Sequence, residues 1–99
     1  MTAHVARHVI VRGRVQGVGF RAFVAHEARK LQLGGWVRNR RDGSVEAVFA
    51  GAAERVETMI EACRSGPMLS HVHTVEDRLA SAAELDERGD QDFAVLATK

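Results

Sequence analysis

Ninety-nine residues, 45% hydrophobic and 27% charged, are the dimensions of a single compact domain over residues 1–99, with too little chain for a second core. A formal charge of +1 gives no whole-molecule field that would draw in nucleic acid or an anionic membrane, so any charge that matters is local. The lone cysteine, Cys63, excludes an internal disulfide and a cysteine-based zinc cluster; "MTAHVARHVIVRG" has no apolar core of signal-peptide length, and a cytoplasmic protein is expected. In chain order, "VARHVIVRG" (5–13) is rich in β-branched residues and closes on glycine, which predicts a strand. Phe20, Phe23, Val24, Ala28 and Leu31 then fall at the spacing of an amphipathic helix, stopped by Gly34-Gly35. "GWVRNRRDGSVEAVFAG" (35–51) predicts two short strands about an Asp42-Gly43 turn, with Val45, Ala47 and Phe49 on one face. A second helix follows Gly51 to about Arg64, its inner stripe Ala53, Val56, Ile60 and Cys63, and "SGP" ends it. "HVHTVEDRL" (71–79) reads as a fourth strand, "ASAAELDERGDQD" as a polar exposed excursion, and "FAVLA" (93–97) as a last edge strand.

The order β-α-β-β-α-β plus a short strand predicts an α+β fold of the ferredoxin-like split βαβ type, two helices covering one face of an antiparallel sheet. In its right-handed first crossover the first two strands run parallel. Arg12 and Gly13 at the end of one, and Asn39 and Arg40 at the end of the other, then emerge on the same edge.

Between the first strand and first helix lies "GRVQGVGFR" (13–21), with three glycines and two arginines. A strand-to-helix loop leaves the first helical N–H groups free, and the helix dipole there favours an anion. Glycines 13, 17 and 19 would let the backbone N–H groups converge, and Arg21 could grip a phosphate or carboxylate with two donors. Glycines in such a loop are equally ordinary turn chemistry. The spacing is not G-x-G-x-x-G, and no Lys-Ser/Thr pair follows to hold magnesium, which leaves a small anion rather than a nucleoside triphosphate.

Asn39 both accepts and donates, so it could hold a water against a bound electrophile; an asparagine before a turn also commonly builds an Asx-turn. Arg38, Arg40 and Arg41 give the hairpin end a candidate basic rim. His71 and His73 share a strand face, but no carboxylate or cysteine completes a metal set with His4 or His8, and no metal or other cofactor is expected. Cys63, on an apolar stripe, reads as core and not nucleophile, and Trp36 as packing near the hairpin or a wall of the pocket.

"GRVQGVGFR" and "GWVRNRRDGSVEAVFAG" together resemble the two signature segments of the acylphosphatases, at Gly13, Val15, Gln16, Gly17, Val18, Phe20 and Arg21, and at Gly35, Trp36, Val37, Arg38, Asn39, Gly43, Val45 and Gly51. The resemblance implies hydrolysis of acyl phosphates, small-molecule mixed anhydrides of a carboxylic or carbamic acid with phosphate. By position it makes Arg21 the phosphate-binding arginine and Asn39 the water-positioning residue. The backbone of Arg14, Val15, Gln16, Gly17, Val18 and Gly19 becomes the phosphate cradle.

That chemistry explains what the chain lacks. A carboxylate leaving group, whose conjugate acid has a pKa of about 4, departs without an enzyme acid, so no catalytic carboxylate pair is needed. Phosphoryl transfer asks mainly for positioning and for charge stabilisation on the equatorial oxygens. A monomer is expected. The rival readings are an RNA-recognition module, poorly served by a chain with one Trp and no Tyr, and a non-catalytic acyl-phosphate or anion-binding module of the kind built into larger carbamoyl-transfer proteins. The short chain, with nothing appended, favours the enzyme.

Overall fold

The computed structural model describes residues 3–99; Met1 and Thr2, which open the segment read for a leader, lie outside the described residues. The elements are β1 (His4–Arg14), α1 (Phe20–Lys30), β2 (Gly34–Asn39), β3 (Val45–Ala52), α2 (Ala53–Ser65), β4 (His71–Leu79), α3 (Ala82–Asp86) and β5 (Phe93–Val95). They form one sheet in the order β4-β1-β3-β2-β5. β3 runs antiparallel to both β1 and β2, which makes β1 and β2 parallel and brings their C-terminal ends, at Arg14 and Asn39, to the same edge of the sheet. The parallel arrangement of β1 and β2 expected from the sequence is the feature that positions the site.

The alternation in each strand sorts side chains between two unlike faces. Val9 and Val11 of β1 and Val45, Ala47 and Phe49 of β3 meet Phe20, Val24 and Ala28 of α1 and Val56, Ile60 and Cys63 of α2 in the main core. Each large apolar side chain buried there stabilises the fold by roughly 1.5–3 kcal/mol relative to exposure. Ala25 and Met59 are buried with them, beyond the stripes read from the sequence, and Ala53 is only half-buried. Burial also pushes the Cys63 thiol up to about 12, so it stays protonated and packs as a small apolar group.

Two features differ from the sequence expectation. The sheet is mixed, because β5 pairs in parallel with β2 (Gly35 with Phe93, Val37 with Val95) while every other pairing is antiparallel. β4 and β5 occupy opposite edges, so the chain must cross the whole sheet between them. The segment read as an exposed excursion makes that crossing: it contains α3, which starts in a capping box in which the Ser81 hydroxyl accepts from the Glu84 N–H and the Glu84 carboxylate accepts from the Ser81 N–H. Leu85 then packs with Trp36, Val48 and Ala94 in a small second core on the face away from α1 and α2. Among the described residues, no helix is long and apolar enough to cross a membrane.

Candidate active site

The loop after β1 is shaped by two glycines in the left-handed region, Gly17 (φ 75°) and Gly19 (φ 79°). A Cβ at either would meet no neighbouring atom, so backbone conformation, not space, requires glycine here, at a cost of about 1–2 kcal/mol for another residue. Gly19 caps α1 without lending a side-chain acceptor, and the first helical bond runs from the Phe23 N–H to the Gly19 carbonyl at 3.0 Å. Among the described residues, the N–H groups from Gln16 to Ala22 therefore donate to no protein acceptor. The first turn of α1 holds no acidic residue and does hold Arg21. A cation at the positive end of a helix is unfavourable unless an anion answers it.

Gln16 ties this loop to the β2–β3 turn. Its side-chain Nε2 donates to the carbonyls of Arg40 (2.7 Å) and Ser44 (2.9 Å), a role the sequence did not reveal. The turn is closed by Asp42, whose Oδ1 accepts from the Ser44 hydroxyl (2.6 Å) and N–H (2.9 Å). Those bonds, the hydroxyl's first, hold the Asp42 carboxyl below the usual carboxylate range. Asp42 thus makes the Asx-turn weighed above for Asn39. The Asn39 backbone is paired on both sides, with Val45 of β3 and with the N–H of Lys99, which donates to its carbonyl at 3.1 Å. No described residue hydrogen-bonds its side-chain amide.

Arg21 and Asn39 line one cleft of about 620 Å³, together with Val15, Gly17 and Gly19 of the loop and with no carboxylate. The structure therefore brings together the arginine, the asparagine and the unpartnered loop amides. Arg14 is the last residue of β1, opposite His71 of β4, and lies outside the cleft lining, as do Gln16 and Val18. Gly13 belongs to the strand as well: the β1–β4 register shifts there, and a Cβ would run into the His71 carbonyl. The rest of the lining comes from α1 (Phe20, Ala22, Ala25, His26, Arg29) and from Val95, and apart from the core residue Phe20 none of these was singled out from the sequence as part of a site. The signal was the recurrence of Arg21, Ala25 and Arg29 at four-residue intervals, a line along α1 at the border of its buried face, with Ala25 buried and Arg29 exposed.

Other candidates lie elsewhere. Arg38 is no part of a basic rim: it is buried on the α3 side of the sheet, its guanidinium bonded to Glu46 (2.7 Å) and Glu87 (2.9 Å) and 4.4 Å from the Trp36 ring centroid. Strand alternation sends residue 38 to the face opposite its neighbours. Trp36 lies on that face too, its Nε1 donating to the Glu84 carbonyl at 2.6 Å, and walls no part of the cleft. His8 sits 2.7 Å from Glu46 through Nε2. The His71 and His73 rings stand 5.9 Å apart on β4, and no group of three metal-ligating side chains occurs among the described residues.

The sequence model of the family described as acylphosphatase matches residues 7–95, which takes in both signature segments and every wall of the cleft. The chain belongs to the acylphosphatase family. An acylphosphatase of Rhodopseudomonas palustris (strain BisB18) is 53% identical over 95 residues, 95% of this chain and 96% of that one. The solved structure of an acylphosphatase from Coxiella burnetii is similar with a TM-score of 0.83 at 34% identity, over 94% of this chain and 93% of its own. The same fold, at TM-score 0.83 and 28% identity, occurs within full-length HypF, of which this chain matches 12%.

Proposed function

We propose that this member of the acylphosphatase family hydrolyses acyl phosphates with Arg21 and Asn39 as its catalytic residues, on a phosphate cradle formed by the loop from Arg14 through Val15, Gln16, Gly17 and Val18 to Gly19. The observation that carries the assignment is the cleft itself: Arg21 and Asn39 line it together with Val15, Gly17 and Gly19 of the loop, and no carboxylate does. The loop N–H groups and the Arg21 guanidinium take the phosphoryl oxygens, whose charge is spread over three equatorial positions as the bond to the acyl oxygen stretches. Asn39, on the facing strand end, accepts from a water and aligns it in line with that bond. The water oxygen bonds to phosphorus, and the pair of the P–O bond leaves with the acyl oxygen as a carboxylate. The water proton passes to a non-bridging phosphate oxygen, which gives dihydrogen phosphate without a protein base.

We read the enzyme as a single-domain monomer of the cytoplasm, acting on a small molecule. The sheet face on which an RNA-recognition module would stack bases is occupied by α3, with Trp36 buried beneath it, which is why nucleic acid has no part in this reading.

The test is benzoyl phosphate hydrolysis, followed by ultraviolet absorbance with EDTA present, for the wild type, Arg21→Ala and Asn39→Ala. We expect metal-free turnover, a loss in kcat/KM of about 10³-fold for Arg21→Ala and about 10²-fold for Asn39→Ala, and native circular dichroism for both. Inorganic phosphate binding by a folded wild type that turns nothing over would instead make the chain an anion-binding module.

A further inference from the structure

The cleft continues past the phosphate cradle along α1, and its far end is also positive. Arg29 lies two turns beyond Arg21, roughly 12 Å at 1.5 Å per residue, with Ala22, Ala25 and His26 between them. Ala22 and Ala25, which line the cleft with the two arginines, are both small, Ala22 exposed and Ala25 buried against the core. Arg29 is tied to β5, its Nη2 donating to the Phe93 carbonyl at 3.2 Å. That single bond fixes its direction and leaves most of its five N–H donors unclaimed by any described residue. Glu27, on the same helix, pairs with Lys30 at 3.2 Å, and no carboxylate lines the cleft. On its other side Arg29 borders a second cleft that includes Arg88 and the acidic Asp92. An anion lying along the first cleft therefore meets attraction as far as Arg29 and a carboxylate beyond it. For a molecule with a formal charge of only +1, Arg21 and Arg29 along one cleft that no carboxylate lines are a local positive field.

We propose that Arg29, with His26 beside it, is a specificity-determining subsite for the acyl group, so that the enzyme favours acyl phosphates whose acyl end carries a second anionic group over those with neutral acyl chains. The inference rests on the acyl-phosphate reading above, with the phosphate at the α1 N-terminus and the acyl group lying along the helix. It gives the two arginines separate tasks. Arg21 meets the group common to every substrate, and Arg29 the group that distinguishes one substrate from another. A bidentate guanidinium suits a carboxylate or a phosphate equally, so charge rather than one named acid is what the subsite reads.

The experiment compares kcat/KM for 4-carboxybenzoyl phosphate and 4-carbamoylbenzoyl phosphate, which match in size and differ in charge, with benzoyl phosphate as reference. For the wild type the carboxy substrate is expected to lead by about tenfold, the effect of one charge-assisted hydrogen bond, mainly through KM and with a lead that shrinks as salt rises. In Arg29→Gln the lead falls to near one, and Arg29→Lys restores part of it. A wild-type ratio near one, or the same ratio in Arg29→Gln, overturns the subsite while the hydrolytic reading stands. No turnover of any of the three by the folded wild type overturns both.

Discussion

Arg21 and Arg38 are the same side chain in opposite settings. Arg38 has its Nε on Glu46, an Nη on Glu87 and its face over Trp36, and it is almost wholly buried. Arg21 stands half-buried at the positive end of α1, in a cleft without a carboxylate. Asn39, the next residue after Arg38, points into that cleft and has no side-chain partner among the described residues. One step along β2 thus separates a satisfied structural network from an unsatisfied site. An arginine whose charge is answered within the protein stabilises the fold; one whose charge is left open is free to meet a ligand.

The difference is sharpest in paired substitutions. Arg21→Ala is expected to lower kcat/KM by about 10³-fold while stability stays level or rises by up to roughly 0.5 kcal/mol, because an unanswered cation leaves a helix N-terminus. Arg38→Ala should do the reverse: about 3–5 kcal/mol of stability lost, since Glu46 is then left buried with less of its charge answered. Urea titrations beside the kinetic assay check both, and a larger stability loss for Arg21→Ala than for Arg38→Ala would break the distinction. pH gives the same network a signature. Burial opposes ionisation of Glu46, yet hydrogen bonds from His8 and Arg38 outweigh it, and its folded pKa lies below the ordinary value. A depressed carboxyl contributes stability above its unfolded pKa of about 4.3, and that stability is lost as pH falls through the folded value. Urea midpoints measured downward from pH 6 should decline below about pH 4, and more shallowly in Glu46→Gln.

Much of this was legible in the sequence, for identifiable reasons. The crossover that unites Arg21 with Asn39 follows from element order and handedness, and the strand and helix periods in residues 5–64 were unbroken. α3 was missed because one turn of helix is too short to show a period; the Ser81 to Glu84 capping box was its only mark. The partners of Arg38 were hidden because Glu46 and Glu87 come from other elements, and pairing across a sheet follows register, not sequence spacing. The α1 side of the cleft escaped notice because Ala22, Ala25 and Val95 carry no chemistry of their own and matter only by where they stand.

A smaller effect tests the loop. Gly19→Ala forces a Cβ onto a residue at φ 79°, and about 1–2 kcal/mol of stability should be lost even though the space around it is open. Because the same residue caps α1 beside the unpartnered N–H groups, kcat/KM should fall with stability. A variant that loses stability and keeps full activity would make the loop a turn and nothing more.

The smallest effect belongs to the far side of the sheet. Ser81→Ala removes the hydroxyl that accepts from the Glu84 N–H, a cap worth about 1 kcal/mol. Glu84 is then held chiefly by Arg78, the partner whose hydrogen bonds, more than that of the Ser81 N–H, lower its carboxyl to about 2. Protonating Glu84 weakens the other half of the box, the bond from the Ser81 N–H to its carboxylate, which wild type and variant share, so both should lose that contribution as pH drops from about 4.3 toward 2 while the difference between them persists. At neutral pH the variant should unfold at slightly lower urea and hydrolyse benzoyl phosphate at the wild-type rate, because α3 lies across the sheet from the cleft. A change in kcat without a change in midpoint would mean that α3 reaches the site through Trp36 and β2, and the two faces would then have to be treated as coupled.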